Sequence, residues 1–446
     1  MDGRTTKSRT KQILDMNAFD ASADLENRRG EVKRRLDNAG ALSVLFYREP
    51  IEMVSAKGAW MHAANGDHYL DLYNNVPSVG HSHPRVVDAV SRQMARLNIH
   101  SRYLNSVVDD YLERLKQRLP EQLANIALTC TGSEANDLAL RVAETVTGER
   151  GVIVTETAYH GNTSLTTAIS PSALKKDKPP ENVVAVPAPS ARNYGEAIEA
   201  GFAEAISKAI KTLRSRGYGL SSCICDSIFS SDGVFADPAG FLKPVVKMVR
   251  SVGGLYIADE VQPGFARTGE TFWGFERHGI EPDMVTMGKP MGNGFPMAGL
   301  AARPDHLEWF AATVGYFNTF GGNPVAAAAG AAVLDVIEDE NLQAHADDVG
   351  RHLRTLLAKL SSQDTRVGTP RGAGLFVGLD LVADGDRSKP DPELATRVIN
   401  GLKEERVLIG AAGPYGHTLK IRPPLCLKRE EVDIFIDRLN TVMQRV

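Results

Sequence analysis

Three short stretches carry side chains that could act together on one small molecule. Residues 285–294, VTMGKPMGNG, set Lys289 between Gly288 and Pro290, just after the apolar Met284-Val285-Thr286-Met287. A lysine among small residues at that place is one the fold can draw inside for chemistry. Leu255-Tyr256-Ile257-Ala258 delivers Asp259 and Glu260 to the end of an apolar run, so at least one carboxylate should reach a ligand crevice. Cys130-Thr131-Gly132-Ser133-Glu134-Ala135-Asn136 enters a helix, whose free N–H groups and dipole can hold a phosphate.

The elements that must position these groups follow an α/β pattern. From about residue 105 to 330, strand, glycine-rich turn and helix repeat, which implies a mostly parallel sheet covered by helices. Candidate strands are Ile126–Cys130, Gly151–Thr155, Val183–Val186, Ser222–Ile228 and Leu255–Ala258, with a helix over Glu134–Val146. The three stretches then fall at carboxyl ends of strands, where open α/β sheets bind ligands. Asn65-Gly66-Asp67 reads as a turn between strands Gly58–Ala63 and His68–Leu72, and an alanine-rich helix begins at Val325. The first 40 or so residues are charged and read as helical or loose. The expected division is an N-terminal segment (1–65) that joins the small domain, a large domain (66–330) and a C-terminal small α+β domain (331–446).

Two chemistries compete for these motifs. An apolar run ending in Asp-Glu suits the magnesium arm of an NTPase, but that needs GxxxxGK followed by Ser or Thr. Gly288-Lys289 is followed by Pro290 and lacks the upstream glycine, so that reading fails. A pyridoxal phosphate site requires a lysine for the Schiff base, a carboxylate to keep the pyridine nitrogen protonated, and a helix N-terminus for the phosphate. All three are present, and Tyr159-His160-Gly161, just after a strand, adds an aromatic ring that could stack on the cofactor.

With these residues in view, the sequence resembles the class III aminotransferases of fold type I over nearly its full length. The resemblance rests on Gly66–Asp71, Gly80-His81-Ser82-His83-Pro84, Thr131–Asn136, Tyr159-His160-Gly161, Asp259-Glu260-Val261-Gln262, Pro282-Asp283, Lys289 and Thr319–Pro324. It implies a large domain with a seven-stranded sheet, and Lys289 as the Schiff-base lysine with Asp259 on the pyridine nitrogen. It further implies Gln262 on the ring hydroxyl, Tyr159 stacked on the ring, and Gly132 and Ser133 on the cofactor phosphate. Thr319 would reach the phosphate bound by a neighbouring subunit, which makes the expected assembly a homodimer.

Family membership leaves the reaction open. Asn74-Asn75-Val76, residues 98–104, Val285–Gly294 and Tyr316-Phe317-Asn318-Thr319 are similar to the ethanolamine-phosphate phospho-lyase branch. Many oxoglutarate-using members carry an acid-Gly-Gly segment after the strand here read as Ser222–Ile228. This chain has Ser230-Ser231-Asp232-Gly233, with Ser231 where the glutamate that pairs with an acceptor-binding arginine would stand. The expected reaction is therefore elimination of phosphate from O-phosphoethanolamine; the alternative is transamination of a primary amine or ω-amino acid. Arg102 is the first candidate for the substrate phosphate, because its planar fork suits phosphate oxygens. Asn75, Tyr47 and Asn318 are further candidates, as are Lys420 and Arg422.

Composition is that of an ordinary globular protein: 446 residues, 43% hydrophobic, 24% charged, net charge −4, with no basic excess for nucleic acid. Cys223-Ile224-Cys225 lacks metal or redox spacing and reads as alternate residues on one face of a strand. His81-Ser82-His83 reads as a structural turn, and no metal is expected. There is no apolar run long enough to span a membrane and no secretory h-region, so the expected location is the cytoplasm.

Overall fold

The computed structural model describes residues 30–42, 44–175 and 177–446. A seven-stranded sheet is built from β1 (Asn125–Thr129), β2 (Gly151–Thr155), β3 (Val183–Val186), β4 (Leu220–Asp226), β5 (Leu255–Asp259), β6 (Met284–Met287) and β7 (Ala298–Ala302). The spatial order is β1-β7-β6-β5-β4-β2-β3. β7 runs antiparallel to both its neighbours, and the remaining pairs are parallel.

Alternation along the strands sorts side chains onto two faces. Val152, Val154, Ile224, Ile257 and Met284 pack with Leu138, Leu140, Val142 and Ala143 on one side. Ile153, Cys223, Cys225, Tyr256 and Ala258 pack with Phe202, Ile206 and Val249 on the other. Both faces are covered, as parallel sheets require. Cys223 and Cys225 share a face as free thiols, with their sulfurs 4.0 Å apart.

Among the helices that pack around this sheet and the segment after β6 are α1 (Ser106–Lys116), α2 (Gly132–Thr147) and α3 (Pro324–Asp339). α2 starts two residues ahead of the sequence reading because Thr131 and Glu134 form a reciprocal capping box. β4 ends two residues early, at Asp226, because that carboxylate accepts from the N–H groups of Ile228 (3.0 Å) and Ser230 (3.1 Å) and turns the chain. β7 escaped the sequence reading altogether. Ala-Gly-Leu-Ala-Ala has no β-branched or aromatic residue, and only pairing with β1 and β6 makes it a strand.

Outside this sheet, Met53–Lys57, Trp60–Ala63 and His68–Asp71 form an antiparallel meander. Val407–Leu408 adds to it in parallel, so chain from both ends shares one sheet. The Asn65–Asp67 turn closes with Gly66 at φ 86° and the Asn65 carboxamide accepting from Asp67 N–H at 3.1 Å. Gly30–Ala39 is helical, while the rest of the charged start lies outside the described residues. Arg371–Ala373, Phe376–Asp380, Gly410–Ala412 and Thr418–Ile421 make a second antiparallel sheet. It is flanked by Leu342–Gln363, Pro392–Glu404 and Arg429–Arg445.

α3 crosses α1 at Gly330, where an added Cβ would stand 2.6 Å from the ring of wholly buried Tyr111. Gly330→Ala should therefore overpack this crossing and cost about 1–3 kcal/mol. Thermal unfolding followed by circular dichroism should show the lower midpoint, and an unchanged midpoint would mean that the helices separate freely.

Candidate active site

The carboxyl ends of β1, β5 and β6 and the turn after β2 meet around a cavity of about 360 Å³. Gly132, Ser133, Tyr159, Asp259, Gln262 and Lys289 all line it. Lys289 follows β6 in a left-handed backbone conformation (φ 27°), an uncommon one for a side chain with a Cβ and a mark of functional sites. Burial and then the charge of Arg422 pull its amine down to about 8, against the opposing pull of Asp259 and Asp226.

Asp259, 5% exposed, ends β5 with three hydrogen-bond partners on its carboxylate. One oxygen accepts from Asn136 Nδ2 (2.9 Å) and lies 2.7 Å from His160 Nδ1; the other accepts from Val261 N–H (3.1 Å). Burial alone would raise this acid, but the bond and charge of His160, with Asn136 and Lys289, hold it below the ordinary carboxylate range. Glu260 points away and accepts from Ser227 Oγ and the N–H groups of Gly274 (2.7 Å) and Phe275 (2.9 Å).

At the start of α2, Thr131 Oγ1 accepts from Glu134 N–H (3.2 Å), and Glu134 Oε2 accepts from the N–H groups of Cys130 (2.7 Å) and Thr131 (3.2 Å). The N–H groups of Gly132 and Ser133 are left facing the cavity without an intrahelical acceptor. Only glycine fits at 132 and 161. A Cβ on Gly132 would lie 2.9 Å from Val261, and one on Gly161 (φ 142°) would lie 2.7 Å from Ser133 Oγ. This donor set fits pyridoxal phosphate: a nucleophilic amine, an ionised carboxylate for the ring nitrogen, an N–H cup for phosphate and an aromatic wall.

Comparison with known proteins agrees. The family model for class III aminotransferases matches residues 47–443. The chain belongs to the class III aminotransferases. It is 38% identical to "Alanine--glyoxylate aminotransferase 2-like" of Drosophila melanogaster, covering 93% of this chain and 87% of that one. It is 36% identical to "Ethanolamine-phosphate phospho-lyase homolog 1" of Caenorhabditis elegans, with 95% and 96% covered. A phospholyase from Arthrobacter, solved in complex with phosphoethanolamine, superposes with a TM-score of 0.90 at 40% identity, over 93% of this chain and all (100%) of the other. Like the rest of its family, this class III enzyme depends on pyridoxal phosphate.

The other residues singled out in the sequence fall in different places. Gln262 is buried, gives Nε2 to Ser230 Oγ (2.6 Å) and accepts at Oε1 from Arg422 Nη1 (2.7 Å). Arg422 also donates to Asn75 Oδ1 (3.1 Å), so Asn75, Gln262 and Arg422 form one cluster behind the cavity wall. Tyr47 is buried at φ 68° with its hydroxyl on the Ile409 carbonyl (3.3 Å), away from the cavity. Arg102 is exposed, with its guanidinium 4.0 Å above the Phe317 ring, and Asn318 accepts from the N–H groups of Phe320 and Gly321. Neither reaches the cavity of its own chain, and Thr319 lies exposed on the same loop. His81 and His83 bond Asp71 (2.7 Å) and Glu340 (3.0 Å). Among the described residues no cluster of three or more His, Cys, Asp or Glu could hold a metal, and no helix is long and apolar enough to cross a membrane. The sequence reading gave no role to Asn136, His160 or Asp226, though the first two sit inside quoted motifs.

Cofactor capture needs the neutral Lys289 amine. Its rate in the apoenzyme should rise with pH through about 8 and then level off. Stopped-flow absorbance of pyridoxal phosphate uptake measures this, and Lys289→Ala should retain no cofactor after borohydride reduction.

Proposed function

We propose that this enzyme eliminates phosphate from O-phosphoethanolamine, giving acetaldehyde, ammonia and inorganic phosphate. The observation that carries the reading is Arg422, a cation near Lys289 that no carboxylate neutralises by contact. The Lys420 amine beside it is held well below the ordinary lysine range by burial and by the charge of Arg422. Lys420 is 3% exposed, and Arg422 is partly buried with its guanidinium 4.6 Å over the Tyr73 ring. Among the described residues neither forms an ion pair, and Arg422 Nε and Asn75 Nδ2 are buried donors without acceptors. The one acid of the Ser230–Gly233 stretch, Asp232, turns instead to Thr155 and Thr157. Unpaired cations in a desolvated site favour an anionic substrate, and phosphate oxygens match such donors. Within one chain Arg422, Lys420 and Asn75 are therefore our first candidates for the substrate phosphate, and Arg102 and Asn318, on the loops beside Thr319, would approach it only from a second copy. The phosphoethanolamine complex of the Arthrobacter phospholyase and the name of the nematode relative support the same substrate. The Drosophila relative's name supports the competing reading, amino transfer from a primary amine or ω-amino acid to a keto acid.

Bound pyridoxal phosphate supplies an electron sink for negative charge on the amine-bearing carbon. Lys289 Nζ, whose pKa burial lowers to about 8, takes the proton from that carbon in its neutral form. The C–O bond on the adjacent carbon breaks, phosphate leaves with the electron pair, and the enamine takes up water to give acetaldehyde and ammonia. The exposed Tyr103, Leu104, Tyr316, Phe317 and Phe320 around Thr319 suit burial against a second copy, which would bring Thr319 to that copy's cofactor phosphate.

Phosphate and acetaldehyde should appear in equal amounts from O-phosphoethanolamine with no keto acid present. Arg422→Met should raise KM by roughly tenfold or more, the scale of one lost charge-assisted hydrogen bond. Amino transfer to pyruvate without phosphate release would replace this reading with the transaminase.

A further inference from the structure

Asp232 has no part in the chemistry above, yet its setting is specific. Its carboxylate is 3% exposed, with each oxygen taking one threonine hydroxyl: Oδ2 from Thr155 (2.9 Å) and Oδ1 from Thr157 (2.5 Å). Both threonines belong to the end of β2 and the turn after it, which continues to Tyr159 on the cavity wall and His160 on Asp259. This short segment is therefore held between two carboxylates, Asp232 at its start and Asp259 at its end. Ser170 Oγ on His160 N–H (2.8 Å) and Ser172 Oγ on the Ala158 carbonyl (2.8 Å) pin its outer side.

Asp232 itself stands on a fixed platform. Its N–H donates to the Phe229 carbonyl (3.1 Å), the Ser231 carbonyl accepts from Gly413 N–H (3.1 Å), and the Gly233 carbonyl accepts from Arg371 Nη2 (2.6 Å). The carboxylate thus ties the cofactor-facing segment to the C-terminal sheet.

We infer that Asp232 is a positioning residue for the cofactor, holding Tyr159 and His160 in place only while its carboxylate is ionised. Ionised, both oxygens accept. Protonated, one oxygen becomes a donor aimed at a hydroxyl that was donating to it, so a threonine must turn and one charge-assisted bond is lost. Burial lifts this acid to about 6, against the lowering bonds of Thr157 and Thr155. Asp226 raises it further and His160 lowers it. Cys225 on β4 and Lys420 on the C-terminal sheet also face it, and Glu156, Arg371, Asp380 and His417 line the cleft on its outer side. Ionised Asp232 is the holding form above about 6, and the hold is lost as the pH falls through that value.

The test is visible circular dichroism of the bound cofactor in the holoenzyme, with cofactor dissociation constants, over roughly two pH units either side of this titration. It rests on the cofactor at Lys289 and is independent of the substrate, so it stands or falls apart from phosphate release. In the wild type the cofactor band should change with a midpoint near 6. Cofactor affinity should weaken about tenfold on the acid side, the scale of one charge-assisted bond. Asp232→Asn, which offers one acceptor and one donor, should show the acid-form band and affinity throughout, with that midpoint gone. Thr157→Val, which keeps the carboxylate and removes its closer donor, should move the midpoint upward and decides the matter if Asp232→Asn does not fold. A midpoint and affinity unchanged in either folded variant overturn the inference, as does a lower melting temperature with the midpoint intact.

Discussion

The active site depends on keeping one buried carboxylate charged. An ionised acid withdrawn from water is costly unless its lone pairs are filled, and removing one partner of a buried charge costs about 3–5 kcal/mol. Asp259 meets this with Asn136, His160 and Val261, contributed by three different parts of the sheet's upper edge. Asn136 is itself oriented by Thr286 Oγ1 on its Oδ1 (2.6 Å), and its Nδ2 also reaches the His160 carbonyl (2.8 Å). Thr286 lies on β6, three positions before Lys289. The network that keeps Asp259 ionised therefore also fixes the start of α2, the Tyr159 segment and the base of the lysine loop.

Around that charge, neighbouring titratable groups are driven apart. Lys289 is pulled down to about 8 and Asp259 is held low, so a reactive amine and an ionised carboxylate share one cavity. Glu260, the next residue, is pushed up to about 8 by burial, despite its hydrogen bonds from Ser227 and the backbone of Gly274 and Phe275. Alternation at the end of β5 gives two adjacent acids opposite fates, one facing the cavity and one bracing a loop.

What could be read in the sequence was what one stretch carries by itself. The apolar runs of β2, β3 and β5 and Lys289 between glycine and proline all announce themselves within ten residues. β7 did not, because its alanines are strand only through their neighbours. The bonds that matter most at the site join residues 99, 123 and 150 positions apart, and no periodicity reports such pairings. Arg102 read as a phosphate ligand by residue type, and Asn318 by its place in a segment similar to the phospho-lyase branch. Within its own chain Arg102 lies on the Phe317 ring and Asn318 bonds its own loop, while Arg422, one candidate among several, stands behind Gln262.

The placement of Arg422 has its own cause, and it is an expensive one. Arg267 is wholly buried and forms no ion pair among the described residues; it donates to the carbonyls of Pro423 and Leu375 and to Ser78 Oγ. Pro423 adjoins Arg422, and Ser78 lies three residues beyond Asn75, so Arg267 secures both segments that converge behind the cavity. Burial, and next the charge of Arg422, pull Arg267 down to about 9, as expected of a buried cation with no carboxylate in contact. A fold selected for stability alone would fill such positions with apolar side chains, because the desolvation of a buried charge is seldom repaid. Two guanidinium groups without carboxylate contacts cost stability and leave an electropositive wall beside Lys289, the property that the proposed phosphorylated amine substrate would use.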